Sequence, residues 1–402
     1  MLNRAFTAPA GGRVGILLLV AILLITILAF TYPSLKPSLP AFRGRTGINN
    51  DAVGKGDLLD DVLNATLGFE KIFVVNLPLR TDHRDAISLA AHFTELQVDY
   101  ADGVTDVDSR AFPPWGNESD LALGGLKSWR AHMNVVRRMV EEDISSALIS
   151  EDDADWDLRI KSQMHTFARA SRLLVQPLRG TQDQFLDPSY PSPAIGEDAA
   201  EFNISSDYGV ELPTSSPYGD LRHWDALWLG HCGSDFPAAS DLKAPLGRVV
   251  IPNDDTVSTN VNKEFGGEGI FAYPPRTRVV SRAWQSTCTF GYAITLPMAR
   301  RILYEQGVWK VTGPFDMMLR SMCHGSEGRR TRTCLGVQPA LFAQHKPIGN
   351  EATFSNIDEH HEGYNAVPQT PNIVLSTRVN FPKLIEGETD YHESFGSGKT
   401  GR

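Results

Sequence analysis

One stretch constrains the fold of this chain more than any other: ALISEDDADWD, residues 147–157. A short apolar run passes without a break into Glu151, Asp152, Asp153, Asp155 and Asp157. An uncharged run of this length reads as a strand buried on both faces. Such strands need helices on both sides of the sheet, so the pattern points to a layered α/β fold with a mainly parallel sheet. The flanking sequence supplies both kinds of element. IFVV, residues 72–75, is another buried strand, and residues 80–97 carry Ile87, Leu89, Ala90, Phe93 and Leu96 at helical spacing. A strand over residues 98–101 ends at Asp102 and Gly103. A helix is expected over residues 127–142, with Trp129, Met133, Val136 and Val140 along one face. The strand signal returns at residues 225–230. It returns again at 286–294, which runs into a helix over 296–305.

A second apolar run has a different character. Residues 14–30, VGILLLVAILLITILAF, hold one polar side chain, Thr26, and no charge. At 1.5 Å per residue they reach roughly 26 Å, enough for a transmembrane helix in a thin bilayer. Phe30, Thr31, Tyr32 and Pro33 follow, a poor context for signal cleavage, so the run is read as an uncleaved signal anchor. This divides the chain into a cytoplasmic tail (1–13), the span (14–30), a Pro- and Gly-rich stem (31–65), one body (66–370) and a polar C-terminal tail (371–402). Residues 177–222 lack periodicity and are read as a flexible insertion in the body. The anchor makes the body luminal in the endoplasmic reticulum or Golgi. Acceptor sequons at Asn64, Asn117 and Asn203 agree with that compartment. So does an even set of cysteines, Cys232, Cys288, Cys323 and Cys334. Cys323 and Cys334 enclose a short polar segment and are the first pair to expect; the alternative is four buried free thiols. No CxxC pair supports a zinc ribbon.

With 38 basic and 48 acidic residues the net charge is −10, which argues against a sequence-independent nucleic-acid binder. It leaves room for an enzyme that meets phosphate through a cation. Carboxylates delivered at the C-terminal end of a strand lie where open α/β sheets bind ligands, and they suit a hard divalent cation. The bland alternative is a solvated acidic loop. The first strand ends in NLPLRTDHR, where Asn76, Arg80 and Arg84 can hold a base, ribose or phosphate; Thr81 or Asp82 as a helix cap is the rival reading. Asp102–Gly103 is a turn or a ligand contact. Asp316, in GPFDMM, is an N-cap or a general base. His345 is a structural histidine or a metal ligand.

Taken in order, these segments resemble glycosyltransferase family 25, which includes lipopolysaccharide-type and collagen-type galactosyltransferases. The resemblance runs over about residues 69–360. IFVVNLPLRTDHR resembles the family's opening strand and nucleotide-contacting turn, and VDYADGV the second strand. ALGGLKSWRAH resembles the Gly-rich segment, LISEDD the acidic metal motif, and WDALWLG the next strand. TCTFGYAITLPMARRIL, GPFDMML and QPALFAQHKPIGNEATFSNID resemble the later segments. His132 stands three places from the family's Ser-His position, and the 177–222 insertion marks a divergent, fungal-like branch.

The resemblance implies a GT-A-like single catalytic domain and an inverting, metal-dependent transfer of a hexose, galactose foremost. The donor would be a nucleotide sugar of the UDP-hexose type, and the acceptor a glycan or glycoprotein. It implies a divalent cation, manganese, on Asp153, Asp155 and His345, with Asp153 also catalytic and Asp316 as base. Asn76, Arg80, Arg84, Asp102, Gly103, Glu151 and Asp152 would hold the nucleotide sugar. Two other classes stay in view: a sugar-binding module on a degenerate scaffold, and a metal-dependent hydrolase.

Overall fold

The computed structural model describes residues 57–113, 123–191, 193, 198–240, 243–262, 267–357 and 363–394. In chain order the elements are β1 (Lys71–Asn76), α1 (Thr81–Phe93), β2 (Asp99–Asp102), α2 (Leu123–Glu141), β3 (Ser146–Glu151), β4 (Ala154–Trp156), α3 (Ile160–Val175), β5 (Glu201–Asn203), β6 (Ala226–Gly230), β7 (Gly233–Asp235), β8 (Arg248–Ile251), β9 (Arg278–Arg282), β10 (Trp284–Thr287), β11 (Gly291–Thr295), α4 (Leu296–Tyr304), α5 (Phe315–His324), β12 (Cys334–Gln338), β13 (Phe342–Gln344), β14 (Gly349–Asn350), β15 (Tyr364–Asn365) and α6 (Phe381–Glu386). Short 3₁₀ turns join them.

Alternate residues of each central strand go to opposite faces and build two cores. On one face Ile72, Val74, Leu148, Leu227 and Leu229 pack with Ile87 of α1 and Met164 and Phe167 of α3. On the other, Phe73, Ile149, Trp228, Tyr292 and Ile294 pack with Trp129 and Met133 of α2, Ile302 of α4 and Met318 of α5. The result is helix, sheet, helix in three layers, the α/β class expected from the alternation.

The sheet is not mainly parallel. Its path is β2-β1-β3-β11-β6-β12-β9-β8-β5, with β13 beside β4 and β6. The pairs β1/β2, β1/β3 and β6/β12 are parallel, whereas β11 runs antiparallel to both β3 and β6, and β9 to both β12 and β8. The physical reason for the difference is plain. Strands buried on both faces read alike in either direction; β6, β9, β11 and β12 are buried at every position, and β3 at every position before Glu151. The other half of the expectation, a transmembrane helix before the body, falls on residues 14–30, outside the described residues. Among the described residues no helix is long and apolar enough to cross a membrane.

Three boundaries also move. The body begins before residue 66: residues Leu58–Leu63 form a 3₁₀ helix that buries Val62, and Asp57 pairs with Arg172 at 2.7 Å. Part of the 177–222 insertion packs on the body, notably residues 216–220. Tyr218 is fully buried there, stacked on Phe69 with its hydroxyl donating to the Leu67 carbonyl. The segment read as a C-terminal tail enters the core, with Ser376, Thr377 and Asn380 at 0% exposure. The strand expected over 286–294 is broken at Cys288 (φ +61°), which a disulfide ties to Cys232.

Candidate functional site

Parallel pairing of β1 with β3 sets Val75 opposite Glu151, so Asn76 and the acid turn leave the sheet side by side. Asn76 Nδ2 donates to Asp152 Oδ2 at 2.7 Å and to the Arg80 carbonyl at 3.2 Å. His83, in the first turn of α1, holds the other oxygen of Asp152 through Nδ1 at 2.9 Å. Arg80 lies across its neighbours, paired with Asp82, touching His83 Nε2 and donating to Asn356 Oδ1 at 2.6 Å. The hydrogen bond from Arg80 holds the Asp82 carboxyl down at about 2.

Arg80, His83, Asp152 and Asn356 border a cavity of about 280 Å³; Asn76 and Asp82 do not line it. Glu151, Asp152 and Asp153 form one side, and Arg80, His83 and Lys127 bring basic groups to the same space. Val75, Leu77, Val104, Phe354 and Ile357 make an apolar slot. Two glycines let backbone close on it. A Cβ at Gly103 would stand 2.9 Å from Leu77 Cδ2, and one at Gly124 would stand 2.4 Å from the Ile357 carbonyl.

Asp153 is the most unusual group. It is 9% exposed; Oδ2 accepts from Gln344 Nε2 at 2.9 Å, and Oδ1 is buried with no partner. Burial, then the charges of Glu151 and Asp152, push its carboxyl up to about 7. A buried carboxylate oxygen without a donor is costly, and a hard cation satisfies it. Glu151 Oε1 accepts from Thr289 Oγ1 at 2.6 Å and lies 3.4 Å from His132 Nε2.

The three residues expected to hold a metal are neighbours: the His345 amide donates to the Asp153 carbonyl at 2.8 Å, and His345 Nδ1 lies 3.8 Å from Asp155 Oδ2. Asp155 is fully buried and turned to the back of the turn. Its Oδ1 accepts from the Trp156 and Arg378 amides, and its Oδ2 from the Thr370 and Ser376 hydroxyls. His345 bonds Thr370 Oγ1 through Nδ1 at 2.9 Å, and burial holds it down at about 3. Asp155 engages both oxygens in this internal network, and His345 its Nδ1. Among the described residues no group of three His, Cys, Asp or Glu is placed to hold a metal ion. What fits a cation is the Asp153 oxygen, flanked by Glu151 and Asp152.

The remaining expected residues divide. Gly103 lines the cavity; Arg84 and Asp102 do not. Arg84 is exposed on α1, its guanidinium over the Tyr100 ring at 4.2 Å. Asp316, at the start of α5, does not line the cavity. Its Oδ2 accepts the Cys288 amide at 2.8 Å, and the next residue, Thr289, holds Glu151. Cys323 and Cys334 form a disulfide with Cα atoms 5.6 Å apart, and Cys232 and Cys288 form the other. Asn64 and Asn203 are exposed, and Asn117 lies outside the described residues.

The sequence left His83, Lys127 and Arg378 without a role, and set His132 three places off the resembled position. His83 stood in the quoted turn, where a basic residue in the first helical turn was the available signal. His132 is buried at the cavity wall, bonded to the Tyr292 hydroxyl at 3.0 Å and stacked on Phe315. Arg378 Nη2 donates to the Asp152 carbonyl at 2.6 Å across 226 residues of sequence, and nothing local announced it. Comparison of the chain with protein-family models gives no match, and comparison with curated proteins gives none.

Proposed function

We propose that the chain is a metal-dependent, inverting glycosyltransferase. It would move a hexose, galactose foremost, from a UDP-type nucleotide sugar to a glycan or glycoprotein acceptor in the lumen of the secretory pathway. One observation carries the reading. At the ends of two parallel strands, a single cavity combines an acid turn holding an unpartnered carboxylate oxygen, three basic side chains and an apolar slot. A nucleoside-diphosphate sugar has matching parts: a flat base, a ribose and a dianionic leaving group. Two disulfides and two exposed sequons support the compartment.

A divalent cation such as manganese, when bound, would neutralise the diphosphate, with Asp153 Oδ1 as its side-chain donor and substrate oxygens and water as the rest. The chain's own groups do the remaining work. Arg80 and Lys127 attract the phosphates. Asn76 and His83 fix both oxygens of Asp152, and Thr289 and His132 orient Glu151. Asp316, whose Oδ2 accepts the amide of Cys288, the residue before the Thr289 that holds Glu151, would take the proton of the acceptor hydroxyl as the hydroxyl oxygen attacks the anomeric carbon and the bond to the diphosphate breaks. The test is product analysis with the purified full chain, manganese and a panel of nucleotide sugars. Glycoside formation that Asp153→Asn abolishes supports the reading. Release of free sugar alone means a hydrolase, and glycan binding without turnover means a sugar-binding module.

A further inference from the structure

A second cavity lies at the opposite edge of the sheet. β12 runs parallel to β6, and β6 and β3 both run antiparallel to β11. The start of β12 is therefore at the edge away from the end of β3 and its acids. Tyr190, Lys243, Arg282, Thr331, Arg332 and the Cys323–Cys334 disulfide border a cavity there of about 350 Å³.

Arg282, the last residue of β9, is 5% exposed. Its Nη2 donates to the Leu174 carbonyl at a long 3.4 Å, and its guanidinium lies 4.7 Å from the centre of the Tyr190 ring. Nη1 is buried with no hydrogen-bond partner. The Tyr190 side chain also bonds it, and the charges of Asp187 and Asp225 reach it, although the oxygens of both carboxylates are hydrogen-bonded to other groups. Asp187 accepts from Ser189 and the Gly247 amide, and Asp225 from Arg301 and the Thr333 amide. Arginine keeps its proton even when buried, so a full positive charge stands beside the cavity, and among the described residues no carboxylate is hydrogen-bonded to it directly. An anion on the free Nη1 would supply that missing partner. Arg332 adds a second guanidinium, paired with Glu305 through Nη2 at 3.1 Å but with a buried, unpartnered Nε. Lys243 adds an exposed ammonium.

We propose that this cavity binds a phosphate or sulfate group, held by Arg282 and Arg332 and drawn in by Lys243. A bare tetrahedral oxyanion fills only part of the space, so the group fits as the charged end of a small molecule such as a sugar phosphate. The site owes nothing to the acid turn and stands or falls separately from the proposed transfer reaction.

The test is the thermal midpoint of the full chain, titrated at constant ionic strength with phosphate, sulfate, glucose 6-phosphate or glucose, with chloride as balance. A saturable rise with the three anions, and none with glucose or chloride, is expected. Tighter saturation by glucose 6-phosphate identifies a group carried on a sugar; equal saturation identifies the free ion. Lys243→Gln, an exposed change, should raise the half-saturating concentration about three- to tenfold. Arg282→Met should abolish the rise, with a cooperative melt in chloride showing that the variant folds. Absence of any saturable rise overturns the proposal. So does a rise that survives Lys243→Gln at full strength, because that assigns it to Arg80 and Lys127 of the other cavity.

Discussion

Asp153 stands among charges of its own sign, with one oxygen bonded to Gln344 and the other to nothing. Asp153→Asn keeps the shape and removes the charge. Transfer is expected to fall about 10²–10³-fold, and the melting temperature to hold or rise, since a buried like-charge repulsion is gone. Activity and melting measured on one preparation check both halves. His231 presents the reverse case. It is 2% exposed, bonds the Val337 carbonyl through Nε2 at 2.9 Å, and burial holds it down at about 4. The unfolded chain takes up that proton near 6.5 and the folded chain does not. Stability is thus complete above about pH 6.5 and declines as pH falls toward 4, by roughly 3 kcal/mol over the window. Urea melts at neutral pH and near pH 4.5 measure this, and His231→Gln should flatten the slope.

The strands and helices that position the site were legible because their signals are local. IFVV, ALIS and the spacing of Trp129, Met133 and Val136 each report burial within a few residues. Strand direction was not legible, because β11 is as apolar as a parallel strand and its two antiparallel neighbours are remote in sequence. The segment from Thr370 to Asn380 was lost for a related reason. It has no apolar period; its burial comes from hydroxyls and amides spent on Asp155, more than 200 residues earlier. Polar groups that bury by pairing with distant acids leave no hydrophobic trace. The same segment carries Arg378, so it braces the acid turn from behind. Ser376→Ala takes one donor from Asp155 Oδ2 and should cost about 1–3 kcal/mol in a denaturation melt. A silent substitution would mean that the segment does not brace the turn.

On the scale of the whole molecule, a three-layer α/β body gathers its candidate chemistry at the ends of β1 and β3, where the sequence placed it. Of the residues the resemblance assigns to a metal, Asp155 and the Nδ1 of His345 bond within the internal network, whereas Asp153 keeps one oxygen without a partner. The two disulfides fasten different parts. Cys232–Cys288 fixes the turn that holds both Asp316 and Glu151, whereas Cys323–Cys334 closes the wall of the second cavity. Replacing Cys232 and Cys288 together by Ser should lower stability by about 2–4 kcal/mol and depress transfer beyond what the melting change explains. The central claim is that the acid turn recognises a diphosphate through a cation. Calorimetric titration of uridine diphosphate into the full chain, with and without manganese, tests it most directly. Binding that requires manganese and vanishes in Asp153→Asn is expected. Equal affinity without manganese, or undiminished binding by the variant, would contradict it.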